Sequence, residues 1–138
     1  MEWLLVLFLC LLGCLPLSAK PIEELADGRY VFASQPPKLD QHPEIQLAGA
    51  EIYAFEKTDR ELLGEVFIAN SSEASCFIGR ATKNLIQGRV IFQDHRGKVI
   101  QSIQFNRDLS NFHPIKFDLL PYARSSVERC RPVVSALP

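Results

Sequence analysis

Two hydrophobic patterns divide the chain. From Trp3 to Leu17 fifteen residues run apolar without a charge, whereas from Gly28 onward short apolar stretches alternate with turn signals about every ten residues. The second spacing is that of an all-β sandwich or barrel. Residues 29–34 (RYVFAS) are rich in β-branched and aromatic types and stop at Gln35-Pro36-Pro37, because two prolines cannot continue a ladder. A loop over 35–46 follows. Residues 47–57 place Tyr53 and Phe55 on one face and Ala54 and Glu56 on the other. Thr58-Asp59-Arg60 turns the chain into a strand over 61–69, and Asn70-Ser71-Ser72-Glu73 is a loop before a third short strand over 76–81. After a tight turn at Lys83-Asn84, residues 85–93 align Ile86, Gly88, Val90 and Phe92. Asp94-His95-Arg96-Gly97 is a hairpin connection, and residues 98–105 return with Val99, Ile103 and Phe105 aligned.

Because each connection is short, sequential strands pair antiparallel with their neighbours. The predicted fold is all-β, a small antiparallel meander closing into a barrel, with a short C-terminal helix. Closure buries the apolar face and removes exposed edges. Gly49, Gly64, Gly79 and Gly88 fall within or beside the strands, where glycine marks the bends a barrel needs. In the tail, Asp118 caps the helix and Pro121 sits in its first turn. Leu120, Ala123, Val127 and Cys130 share one face, predicted to pack across one end of the barrel, and Pro132 stops the helix.

The N-terminal run is too short for a bilayer-spanning helix, which takes about twenty residues. It reads as a secretion signal over 1–19, with Ser18 and Ala19 before a cut at Lys20, followed by one domain over 20–138. Its start, Met1-Glu2-Trp3, lacks the Lys or Arg usual there, which leaves an uncleaved short anchor as an alternative. Leu11-Leu12-Gly13-Cys14 also matches a lipobox, in which a small residue precedes a cysteine that becomes lipidated. Lipidation at Cys14 would make residues 15–26 a tether at a membrane face. By either route the chain is exported, to the periplasm, the cell envelope or the extracellular space.

Charge narrows the partners. Beyond the signal, which holds only Glu2, basic and acidic residues balance at 15 each. A neutral domain lacks the basic field that attracts nucleic acid or an anionic membrane. Only Cys76 and Cys130 remain past the signal, and in an oxidising compartment an isolated pair forms a disulfide. His42, His95 and His113 are scattered through loops without metal-ligand spacing, and no nucleophile turn such as GxSxG occurs. No cofactor or metal is expected, and no catalytic residue is assigned. Asp59, Glu61 and Asp94 sit beside turns, where turn chemistry accounts for them. Asn70-Ser71-Ser72 fits the N-glycosylation pattern, which counts only in a eukaryotic secretory route. The aromatic residues read as a core that fills the interior rather than a cavity lining.

Several stretches together carry a resemblance: Leu25-Ala26-Asp27-Gly28-Arg29-Tyr30-Val31-Phe32 with Ser34-Gln35-Pro36-Pro37, Tyr53-Ala54-Phe55-Glu56-Lys57, Leu63-Gly64-Glu65-Val66-Phe67, Ser75-Cys76-Phe77-Ile78-Gly79 and Asn84-Leu85-Ile86-Gln87-Gly88. Over about half of the domain the chain resembles a group of small exported cyanobacterial proteins of unknown function, with a calycin-like β-barrel look. Extra cysteines of that group, near Ala33 and Ala54, are absent here. The resemblance implies an address and a fold, with no activity. The functional expectation is a non-enzymatic module, acting as a monomer, that binds a small ligand or an envelope protein. The 35–46 loop and the Asn70 loop are its contact surfaces, since loops on a rigid scaffold carry binding. A structural envelope lipoprotein, or a small hydrolase or isomerase, are the alternatives.

Overall fold

The structure, a computed structural model, describes residues 20–137; the signal expected over 1–19 and the lipidation expected at Cys14 lie outside the described residues. Six strands follow one another as a meander: β1 (Gly28–Ala33), β2 (Glu51–Thr58), β3 (Glu61–Ile68), β4 (Ala74–Thr82), β5 (Leu85–Gln93) and β6 (Val99–Asp108). A two-residue strand, β7 (His113–Pro114), then pairs antiparallel with β1, so the sheet order is β6-β5-β4-β3-β2-β1-β7. The predicted strands are present with small shifts of boundary. The largest shift is in β2, which begins at Glu51, because the 3-10 turn at Pro43–Ile45 runs on into a turn over 46–49. β7 carries no alternation to announce it. Asp59, Asn70 and Lys83 adopt positive φ at the turns that the sequence marks.

The ladder is open: β6 and β7 are its edges and share no pairing among the described residues. It is nonetheless strongly curled. In a flat sheet six strand spacings of about 4.8 Å would hold β6 and β7 about 29 Å apart. The chain passes from Asp108 to His113 in five steps, which reach about 18 Å at most. Curling brings Arg107 of β6 against Glu51 of β2, at 2.6 Å. This contact identifies the concave face.

That inner face is filled with rings. Phe55 and Phe77 both pair in register with Gly64 between them, and their centroids meet across the glycine at 6.4 Å. Phe105 packs edge-on against Phe77 at 5.9 Å, and Phe32 stacks on Phe55 at 5.9 Å. Tyr53 stands beside the Glu51–Arg107 pair, and burial, then the Glu51 charge, raises its pKa above the ordinary phenol value. A Cβ on Gly64 would lie 2.0 Å from the Ala54 carbonyl oxygen, and one on Gly88 would lie 1.9 Å from that of Ile78. Backbone occupies the space of a side chain at these two positions.

The tail differs from expectation in place and in length. Two 3-10 turns, Phe117–Leu119 and Pro121–Ser125, lead into α1 (Ser126–Ser135). This segment lies on the outer face of β2–β4 rather than across one end of the sheet. The outer face there is apolar too (Val31, Ala33, Ile52, Ala54 and Phe67 are buried), so it requires a cover. The one-faced meander anticipated from the sequence is therefore two-faced, with β2 buried on both sides. Pro132 lies inside α1 instead of stopping it; packing of Val133 and Val134 beside Ile91 holds the last turn.

At the opposite end of the meander Glu23 accepts from the Lys83 backbone N–H at 2.6 Å and pairs with Arg60. The Lys83 hydrogen bond first, and the Arg60 charge after it, hold this carboxyl below its ordinary value against an opposing effect of burial. A lowered folded pKa gives stability that is present above the ordinary carboxylate value and is lost as the pH falls through the folded one. Glu23→Gln is expected to melt below the wild type at neutral pH, with the gap narrowing in acid. A gap that is the same at both pH values would count against this linkage.

Candidate functional site

The cleft begins with two loops and the tail. In the β3–β4 connection the Ser71 hydroxyl donates to the Ile68 carbonyl at 3.0 Å and accepts from the Glu73 N–H at 3.1 Å. This local network favours a turn over further strand. Asn70 sits at φ 62°, and its Nδ2 donates to the Glu44 carbonyl at 3.1 Å, which ties this loop to the 35–46 loop. Both loops singled out from the sequence as contact surfaces thus meet at one place.

The tail supplies the third wall. Leu119 to Tyr122 run past the same loop and enclose a cleft of about 340 Å3 with it. Phe67, Ala69 and Leu120 are its buried apolar residues, and Tyr122 packs edge-on against Phe67 at 4.9 Å. Glu44, Asn70, Ser72 and Glu73 form an exposed rim. Among the described residues the Glu73 carboxylate has no hydrogen-bond or ion-pair partner, and Glu44 has only His42, at 3.9 Å.

Tyr122 is held from behind by a buried polar group. Glu65, at the centre of β3 and 4% exposed, accepts from Arg129 at 2.8 Å, from Ser126 Oγ at 2.9 Å and from the Tyr122 hydroxyl at 3.2 Å. The Arg129 guanidinium lies 3.7 Å from the Tyr122 ring centroid and donates to the Tyr122 carbonyl. Burial opposes the Arg129 charge, while the Glu65 hydrogen bond and charge favour it, leaving its pKa raised. Burial and the Glu65 charge raise the Tyr122 pKa, so the phenol is a neutral wall of the cleft. Breaking such a pair leaves an uncompensated buried charge, and this fixes the tail in one position.

Cys76 and Cys130 are joined by a disulfide with Cα atoms 5.4 Å apart. Cys76 is the cross-strand neighbour of Glu65, and Cys130 follows Arg129, so covalent and ionic anchors lie side by side. His42 caps the 3-10 turn at Pro43–Ile45, His95 lies in the β5–β6 hairpin and His113 in β7, all exposed. The structure brings none of them to a shared acid and nucleophile, and among the described residues no three His, Cys, Asp or Glu side chains gather as metal ligands do. Sequence reasoning missed the Glu65–Arg129–Tyr122 group. Its one signal, a glutamate that shares the outer face of β3 with Leu63 and Phe67, is legible only once the tail is known to cover that face. Compared with protein-family profiles, with curated proteins and with solved structures, the chain matches none.

Proposed function

We propose that the protein is an exported, non-enzymatic binding module whose ligand enters the cleft between the Asn70 loop and the 119–122 segment. The convergence of three chain segments on an apolar, aromatic floor with an acidic rim carries this reading. Its volume lies at the lower end of small-molecule pockets, and its few polar groups are of the kind that orient a ligand. A compact ligand with an aromatic or aliphatic body and a cationic group fits the lining: the body meets Phe67 and Tyr122, and the charge faces Glu44 and Glu73. The export reading rests on the apolar N-terminal run and on a disulfide, which is rare in reducing compartments. We read the curled sheet as a barrel with a seam between β6 and β7. The short Asp108–His113 connection and the Glu51–Arg107 contact support that reading.

Phenethylamine and phenylacetate, alike in shape and opposite in charge, provide the test. Titration of the labelled chain with phenethylamine is expected to shift amide resonances of residues 70–74 and of Tyr122, with phenylacetate weaker. Glu73→Gln is expected to weaken the amine about fivefold, since one exposed ion pair contributes up to about 1 kcal/mol. Equal response to both probes, or shifts confined elsewhere, would overturn the reading.

A further inference from the structure

A second concavity, of about 650 Å3, runs along the outer face between the C-terminal half of α1 and strands β2–β5. Leu63, Ile78 and Val134, each half-buried, contribute its apolar surface. The backbone of the opposed pair Gly79 and Gly88 also lines it. Three guanidinium groups line it, each from a different element: Arg80 on β4, Arg89 on β5 and Arg131 on α1.

Their partners differ. Arg131 donates to Glu56 at 3.2 Å, and Glu56 is also held by Arg29. Among the described residues Arg89 has a single hydrogen bond, from Nε to Ser102 Oγ at 3.0 Å. Arg80 has no hydrogen-bond or ion-pair partner among the described residues, although Glu61 is its cross-strand neighbour. Arg80 pairs in register with Gln87, and Ile78 with Arg89, so the two arginines are diagonal neighbours on one face. Like charges so placed repel and are relieved by an anion between them. Two guanidinium groups without a carboxylate partner thus stand over an apolar floor, against one free carboxylate at Glu61. The α1 wall is fixed by the Cys130 disulfide next to Arg131, so the groove exists before a ligand arrives.

We propose that this groove binds an amphiphilic anion, its carboxylate or phosphate head between Arg80 and Arg89 and its acyl chain along Leu63, Ile78 and Val134. The site is separate from the Asn70 cleft and does not depend on it. The forked arginine donors match a planar carboxylate or a phosphate, and the floor removes methylenes from water.

Calorimetric titration of the full chain with decanoate tests the proposal, with decanol and inorganic phosphate as the two halves of the chemistry. Decanoate is expected to bind at least tenfold more tightly than either. The double variant R80E/R89E is expected to lose at least tenfold in decanoate affinity. Both residues are exposed, and thermal melting checks the fold. Should that variant misfold, Arg80→Gln alone is expected to weaken decanoate several-fold. Phenethylamine binding at the other cleft is expected to be unchanged in both variants, which separates the failure of one site from failure of the other. Co-sedimentation with phosphatidylglycerol vesicles that decanoate reverses would assign the head group to a membrane lipid; decanoate binding without co-sedimentation would assign it to a free acid. Either supports the groove. Decanol binding as tightly as decanoate, phosphate alone doing so, or full affinity in R80E/R89E overturns it.

Discussion

Replacing Cys76 and Cys130 together by alanine is expected to lower the unfolding free energy by about 4 kcal/mol, read from urea denaturation against the oxidised wild type. The disulfide closes a loop with a sequence separation of 54, and releasing it restores conformational freedom to the unfolded chain. Cys130 is fully buried, so truncation adds a small cavity to the entropic loss. The effect has a location as well as a size. α1 is held to β3 and β4 by the disulfide and by Glu65–Arg129, and to β1 and β2 by Arg29–Glu128 and Arg131–Glu56. The last two are exposed pairs of small net value. Hydrogen exchange in the double variant is therefore expected to accelerate in α1 more than in β2–β4. Uniform acceleration, or a midpoint equal to that of the wild type, would show that the clamp contributes little.

Gly64→Ala is expected to destabilise by at least the upper end of the roughly 1–3 kcal/mol typical of overpacking. An added Cβ meets the Ala54 carbonyl oxygen at 2.0 Å, and Phe55 Cα and Cβ at 2.6 and 2.7 Å. These atoms belong to the backbone or its first carbon, so no side-chain rotation relieves the clash, and β2 and β3 must separate. Separation in turn pulls apart Phe55 and Phe77, the ring pair at the centre of the inner core. Ser72→Ala, an exposed loop change, is the control and is expected to stay within about 0.5 kcal/mol of wild type. If the two variants melt alike, the close approach at Gly64 does not govern the curl.

The alternation of 85–93 and the turn residues at Asp59, Lys83 and Gly97 made the meander legible, because those signals are local. What the alternation could not reveal was the second buried face. Ala33, Ile52 and Ala54 alternate with Phe32, Tyr53 and Phe55, so β2 is apolar on both sides, and such a run does not say what covers the side away from the core. The spacing of Leu120, Ala123, Val127 and Cys130 predicts a helix in the tail, and those residues do face inward. Its site on the sheet depends on contacts with partners more than fifty residues away, such as Glu65 with Arg129. Pro132 misled for the opposite reason: a local rule was overridden by packing of the residues after it. Of the cleft, the two loops were legible as exposed turn-rich segments, whereas their third wall came only with the placement of the tail.

β7 consists of two residues paired to a strand about eighty residues earlier in the chain. Closing a loop of that length carries an entropic penalty of about 4 kcal/mol beyond a constant, far more than a two-residue ladder returns. The hairpins β2–β3, β3–β4 and β4–β5 close over only a few residues and incur little of this penalty. The β1–β7 pairing is thus contingent: it forms when the curl of the intervening strands has already carried Asp108 round to the first strand. Two residues, His113 and Pro114, therefore serve as a latch whose engagement reports that every strand between them and β1 is in register.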